Sequence, residues 1–212
     1  MSSRVKEIYL IRHGETAYNR LGVVQGSGID AELNDLGKAQ AQAFYEAYQH
    51  LPFQKIYISE LQRTFQSVQA FIEAGIPFEK HAGLNEISWG IKEGKKPDPS
   101  HDSEHTNMIK GWRMGHTYLA SPGGESPQQV AERQNVTVQH ILSRTDEDLI
   151  LIAMHGRAMR ILLTQLLQKP LADMDDFQHS NLCLYHLQYH YDSQSFAVLR
   201  ENDTEHLVHL TV

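Results

Sequence analysis

A single cysteine, Cys183, leaves this chain without an internal disulfide, so a packed core must hold its fold. Cys183 sits in an apolar alternating run and reads as a buried structural thiol rather than a nucleophile. Long apolar runs are missing too. Nothing approaches the roughly 18 residues of a membrane span, and the opening Met-Ser-Ser-Arg-Val-Lys-Glu enters a strand without a signal-peptide apolar region. A cytoplasmic location and no membrane partner are expected. Basic residues are in deficit, 19 Lys and Arg against 26 Asp and Glu for a formal charge of −7, and no basic face is apparent, which argues against broad nucleic-acid binding. A small anionic substrate needs only a local positive cluster, which this deficit leaves open. Internal repeats and low-complexity segments are absent.

What is present suffices for a core: 41% of 212 residues are hydrophobic, and a single domain over residues 1–212 is expected, with an irregular insertion at about 90–123. The chain is organised around Ile8-Tyr9-Leu10-Ile11-Arg12-His13-Gly14-Glu15-Thr16, a short buried strand that delivers Arg12 and His13 to its C-terminal end. In open α/β sheets that edge binds ligands, and Gly14 supplies conformational freedom beside the charged pair. The alternative for His13 is a surface or satisfied histidine. Residues 14–33 read as a long polar loop, which in a compact domain is usually functional or disordered. Asn34 then offers an N-cap for a helix that Pro52 ends.

Three later stretches answer the first. Lys55-Ile56-Tyr57-Ile58-Ser59 is a second short strand, followed by a helical pattern whose first turn holds Arg63 near the positive pole of the helix, a region suited to an anion. A solvent-facing arginine is the plainer alternative. Leu84-Asn85-Glu86-Ile87-Ser88-Trp89-Gly90 sets a carboxylate before apolar residues, a candidate general acid if it is not an exposed loop glutamate. Asp148-Leu149-Ile150-Leu151-Ile152-Ala153-Met154-His155-Gly156 is another apolar strand with the same His-Gly ending. Strand–helix alternation, closed by the runs Leu182-Cys183-Leu184-Tyr185-His186-Leu187 and Phe196-Ala197-Val198-Leu199, predicts an α/β three-layer sandwich. Its central sheet is mainly parallel, with helices on both faces and a C-terminal β-hairpin at one edge.

Residues 90–123 are the least regular, with Lys92, Lys95 and Lys96 ahead of Pro97 and Pro99, then a weakly amphipathic segment at 108–119. His101-Asp102-Ser103-Glu104-His105 matches the zinc-protease pattern H-x-x-E-H but lacks the apolar helix face that chemistry needs. The other histidines have no partner at ligand spacing and read as surface or core residues.

Together these stretches resemble the histidine phosphatase superfamily, in the branch of cofactor-dependent phosphoglycerate mutases and related small-molecule phosphatases. The carriers are Arg12-His13-Gly14-Glu15-Thr16 with Asn19 and Gln25-Gly26, residues 33–40, Ser59-x-Leu-x-Arg63-Thr64, Leu84-x-Glu86, Gly124-Glu125-Ser126 and His155-Gly156. Met154, where the family often has serine, and the run Ile91-Lys92-Glu93-Gly94 depart from the pattern. The resemblance implies a phosphatase acting on a small phosphorylated metabolite through phosphohistidine on His13. Arg12, Arg63 and His155 would surround the phosphoryl group, and Glu86 would serve as general acid and base. Asn19, Gln25, Gly26, Gly156 and Arg157 are the implied substrate contacts, although Arg157 suits a helix surface equally. No cofactor and no metal are called for, and a cation would be repelled by the two arginines. A phosphoglycerate mutase would use the same pocket, which would have to shut out water beneath a lid; residues 90–123 are polar and short for that. A regulatory or binding protein on this fold would be expected to lack a catalytic residue, and none is missing. The oligomeric state, a homodimer included, is open.

Overall fold

Burial on two sides explains why the central strands are almost wholly apolar. In a computed structural model, which describes residues 4–97 and 103–210, six strands form one sheet: β1 (Val5–Arg12), β2 (Lys55–Ile58), β3 (Phe78–Lys80), β4 (Leu149–Met154), β5 (Leu184–His190) and β6 (Ser195–Asp203). The order is β3-β2-β4-β1-β5-β6. The first four strands in that order run parallel, while β5 is antiparallel to β1 and to β6, so the expected hairpin forms one edge. Alternate residues divide between two cores. Ile8, Leu10, Tyr57, Ile150 and Ile152 face the core shared with α5 (Pro127–Ser143) and α6 (Gly156–Leu166). Ile11, Ile56, Ile58, Leu151 and Ala153 face the core shared with α2 (Asp35–Tyr48) and α3 (Gln62–Glu73).

Two segments differ from expectation. The polar loop at 14–33 contains a short helix, α1 (Ala17–Leu21), nucleated by a reciprocal cap in which Thr16 and Asn19 exchange side-chain and backbone hydrogen bonds. Its remainder is tied down, with Val24 and the residues at 94 and 95 exchanging backbone bonds of 2.9 Å. The insertion is also more regular than its composition suggests. Helix α4 (Ser103–Arg113) begins five residues before the weakly amphipathic stretch and buries Met108, Gly111 and Trp112. Trp112 donates its indole N–H to Leu119 O at 2.8 Å. Polar residues dominate the helix, so three inward positions spaced at i, i+3 and i+4 were masked by what surrounds them. Of the H-x-x-E-H pattern, His101 and Asp102 lie outside the described residues, while His105 stacks on Trp89 with ring centroids 5.5 Å apart.

Candidate active site

Strand register brings the two histidines together. In the parallel pair β1 and β4, Arg12 stands opposite Met154, so His13 and His155 each follow immediately beyond matched strand ends. His13 N–H donates to Met154 O at 3.0 Å, and the imidazole centroids lie 5.2 Å apart. Both side chains are buried, His13 at 3% exposure and His155 at 0%. His13 is therefore not a surface histidine, the alternative for its position, and the Arg63 and Arg12 guanidinium groups lie near it. Gly14 also acts differently from expectation. Its φ is not positive, and what it provides is space, since a Cβ there would stand 2.6 Å from Gly37 O at the start of α2.

Hydrogen bonding assigns both imidazole tautomers. His13 Nδ1 faces Gly14 O at 2.7 Å and must carry its proton there, which leaves the Nε2 lone pair free. His155 Nδ1 accepts from Arg63 Nε at 3.1 Å, so its proton is on Nε2, which donates to Ser59 Oγ at 2.8 Å. Burial and the neighbouring guanidinium groups of Arg63 and Arg12 push both imidazoles well below the ordinary histidine pKa, His155 also feeling His13. Both are neutral at pH 7.

Arg63, in the first turn of α3, is fully buried rather than solvent-facing. Besides His155 it donates to Ile29 O at 2.7 Å and Gly26 O at 3.3 Å, which anchors the loop ahead of α2. Three of the five N–H donors of its guanidinium are thus committed and two remain. Burial lowers its pKa to about 10, against the attraction of Glu86 and Asp30, and it stays charged. Arg12 is positioned by a residue the sequence did not single out. Its Nη1 donates to His179 O at 2.8 Å and lies 3.3 Å from His179 Nδ1. Burial, with Arg12 and Arg160 nearby, pushes His179 down to about 3. No spacing could have shown this, because His179 reaches the site only through the crossover before β5. Gly156 makes room for the pair, since a Cβ there would stand 3.2 Å from His179 and 3.3 Å from Arg12 Nε. Arg12 Nε and Gln25 Nε2 are buried without a hydrogen-bond partner, donors available to an anion.

Glu86, 7% exposed, is no loop-surface glutamate. Its carboxylate caps α6: Oε1 accepts from Ile87 N–H at 2.9 Å and Ala158 N–H at 2.8 Å, and Oε2 accepts from Arg157 N–H at 3.1 Å. The carboxylate thus sits at the positive end of the helix that follows His155, attracted by Arg12 and Arg63.

The expected substrate contacts divide. Gln25 accepts from Thr16 Oγ1 at 2.8 Å, and Gly26 borders Arg63. Asn19 is a helix cap whose Oδ1 accepts from Asn181 Nδ2 at 3.2 Å, while the same amide donates to His13 O at 3.1 Å. Asn181 thus joins α1 to the histidine backbone, a second link invisible in the sequence. The Arg157 side chain is neither free nor at a helix surface, because it pairs with Asp175 at 2.5 Å and lies over Trp112.

Two neutral histidines, two buried guanidinium groups and a carboxylate thus share one strand edge. The sequence profile of the histidine phosphatase superfamily (branch 1) matches residues 8–204. The chain belongs to the histidine phosphatase superfamily. This histidine phosphatase is 28% identical to fructose-2,6-bisphosphatase TIGAR B of Danio rerio over 188 residues, 84% of this chain and 67% of that protein. It is 29% identical to the probable phosphoglycerate mutase GpmB of Erwinia tasmaniensis over 165 residues, 77% of this chain and 76% of that one. A mycobacterial glucosyl-3-phosphoglycerate phosphatase, solved as a complex with VO3, superposes with a TM-score of 0.82 at 25% identity, over 94% of this chain and 100% of that one. The histidine phosphatase is accordingly an enzyme of phosphatase or mutase type acting on small phosphorylated substrates. Among its described residues no helix is long and apolar enough to cross a membrane.

Proposed function

We propose that the protein hydrolyses a small phosphate monoester through phosphohistidine on His13, with water rather than a second sugar acid as the final acceptor. The observation that carries this reading is the His13 tautomer: with Nδ1–H held by Gly14 O, a neutral Nε2 lone pair faces a site of fixed positive charge. An anionic nucleophile would be repelled by a phosphate ester, and neutral imidazole is not. Nε2 forms the N–P bond as the ester P–O bond breaks. Arg12 and Arg63 hold the phosphoryl oxygens and stabilise their charge through the transition state, and His155, whose Nε2–H is given to Ser59 Oγ, orients Arg63 through Nδ1. Glu86 gives its proton to the departing oxygen. Oε2, which accepts one hydrogen bond where Oε1 accepts two, has the free capacity to carry that proton. Water then attacks phosphorus, Glu86 takes the proton from it, the N–P bond breaks and inorganic phosphate leaves with His13 restored.

Hydrolysis is favoured over isomerisation by the way the insertion is held. Arg113 at the end of α4 pairs with Asp175 at 3.1 Å, and Trp112 is buried under Arg157, so this segment is anchored to the body. A lid would have to lift and seal to hold phosphohistidine away from water. The reading is tested by incubating 3-phosphoglycerate with 2,3-bisphosphoglycerate, and a panel of phosphorylated metabolites, with enzyme in excess EDTA. Inorganic phosphate is expected at each turnover and is expected to persist in the chelator. Efficient conversion to 2-phosphoglycerate with little phosphate released would establish the mutase.

Arg63→Ala is expected to lower kcat/KM by about 10²–10³, the range for removing one preorganised donor to developing charge. A steady-state comparison with Arg63→Lys locates the effect. Lysine keeps the charge but cannot serve His155, Ile29 and the phosphoryl group together, so it should recover little, and a loss under tenfold in the alanine variant would confine Arg63 to scaffolding.

A further inference from the structure

At the edge of the sheet, away from the central strands that carry His13 and His155, β3 and α5 bring three side chains to one point. Glu79 is the middle residue of β3, His81 follows that strand, and His140 lies in the last turn of α5. We propose that Glu79, His81 and His140 form a site for a divalent ion of the zinc class, which ties the edge strand to α5. Among the described residues, one ligand atom from each of the three lies within 4.8 Å of the others. Both imidazoles present Nε2 to the same carboxylate oxygen, Glu79 Oε2, at 3.2 and 3.1 Å. In a tetrahedral zinc site with bonds of about 2.0–2.1 Å, ligand atoms are separated by about 3.3 Å. Two of the three edges of such a ligand face already have that length.

The surroundings suit an ion that keeps exchangeable water. The imidazole centroids are 5.0 Å apart, and the Tyr57 ring lies near both, at 5.6 Å from His81 and 6.4 Å from His140. All three candidate ligands are half-buried, so the ion and its remaining ligands have access. Lys55 pairs with Glu79 directly. Its Nζ binds the other oxygen, Oε1, at 2.6 Å, which orients the carboxylate and leaves Oε2 to the histidines. The Tyr57 hydroxyl is committed to Glu147 at 2.5 Å and takes no part. Two imidazoles and one carboxylate select a borderline ion such as Zn²⁺ or Co²⁺ over Mg²⁺ or Ca²⁺, which favour all-oxygen shells.

The test uses the whole chain after dialysis against EDTA. Calorimetric titration with Zn²⁺ is expected to show a site that weakens at least tenfold in His81→Ala and in His140→Ala, and that survives in His13→Ala, which excludes binding at the catalytic pair. Co²⁺ should give a visible ligand-field spectrum that both variants lose. Zn²⁺ should raise the melting temperature of the unaltered protein by a few degrees but not that of the His140 variant, with turnover at low temperature unchanged in either. No Zn²⁺ binding at micromolar concentration, or binding and thermal shift indifferent to both substitutions, would show a hydrogen-bonded cluster around Glu79 and overturn the proposal.

Discussion

His13→Ala is expected to reduce turnover by on the order of 10⁴–10⁶, the scale on which an enzyme loses rate when its nucleophile is removed. Nothing nearby can replace it. The lone pair of His155 Nδ1 is occupied by Arg63 at 3.1 Å, and its other nitrogen carries the proton, so the neighbouring imidazole has no free nucleophilic nitrogen. His179 Nδ1 lies against Arg12, and Cys183 is a buried thiol pushed up to about 11 chiefly by burial, so neither offers a reactive lone pair. The fold should survive. His13 is buried, yet its side chain makes one local hydrogen bond, to the carbonyl of the next residue, and its replacement costs about 1–3 kcal/mol from a stability of about 5–15 kcal/mol. Circular dichroism and a melting curve check that part. Mass spectrometry after a quench that avoids acid checks the chemistry: the unaltered enzyme should carry one labile phosphate during turnover and the variant none. A variant that keeps near-normal activity, or that is still phosphorylated, would remove His13 from its role.

Much of this site is legible in the sequence because strand ends are. An apolar run that stops at Arg-His-Gly or His-Gly announces both the strand and the edge to which it points. Parallel pairing of two such runs, Arg12 opposite Met154, then places the histidines side by side. Arg63 is legible for a related reason, as the first turn of a helix just after a strand. What could not be read was how deeply these groups are buried. Surface placement was the alternative for both residues, while the structure buries both, satisfying Arg63 with carbonyls from a distant loop and His13 with the carbonyl of its own neighbour. The carbonyls of Gly26, Ile29 and Gly14 are properties of backbone path, to which composition gives no access. His179 and Asn181 were unreadable in the same way, since both work through a crossover that folds back on β1.

Glu86 shows a third situation. Its residue type and apolar surroundings pointed to a general acid, but the feature that holds it is the N-terminus of α6, whose N–H groups at Arg157 and Ala158 it accepts. The helix start after His155 was visible, the carboxylate after Leu84 was visible, and their meeting was not. This cap matters for the proposed mechanism because it sets the Glu86 carboxylate beside the helix that presents His155. Positioning is supplied by the same backbone groups that any helix leaves unpaired at its start.

Acid should destabilise this protein steeply, and the sign follows from three histidines. His13 and His155 are held well below 6.5 by burial and then by Arg63, and His179 is held at about 3 by burial and then by Arg12. In the unfolded chain each has the ordinary value of about 6.5. As pH falls through 6.5 the unfolded state takes up a proton at each position while the folded state does not. Stability from these groups is therefore fully present above pH 6.5 and is lost on acidification, across a window that for His179 extends to about 3. A single group of this kind contributes at most about 1.4 kcal/mol per pH unit. Urea midpoints should be level between about pH 7.5 and 6.5 and fall from there toward 4.5, and His13→Ala and His179→Gln should each make that fall shallower. Catalysis gives an independent reading, because a nucleophile that stays unprotonated keeps the phosphorylation step running in acid until the fold is lost, so activity should decline with the unfolding curve and not with a histidine titration near 6.5. A stability that is flat between about pH 7 and 5, or a slope indifferent to both substitutions, would mean that the folded protein accepts protons at this site and that its histidines are not held neutral.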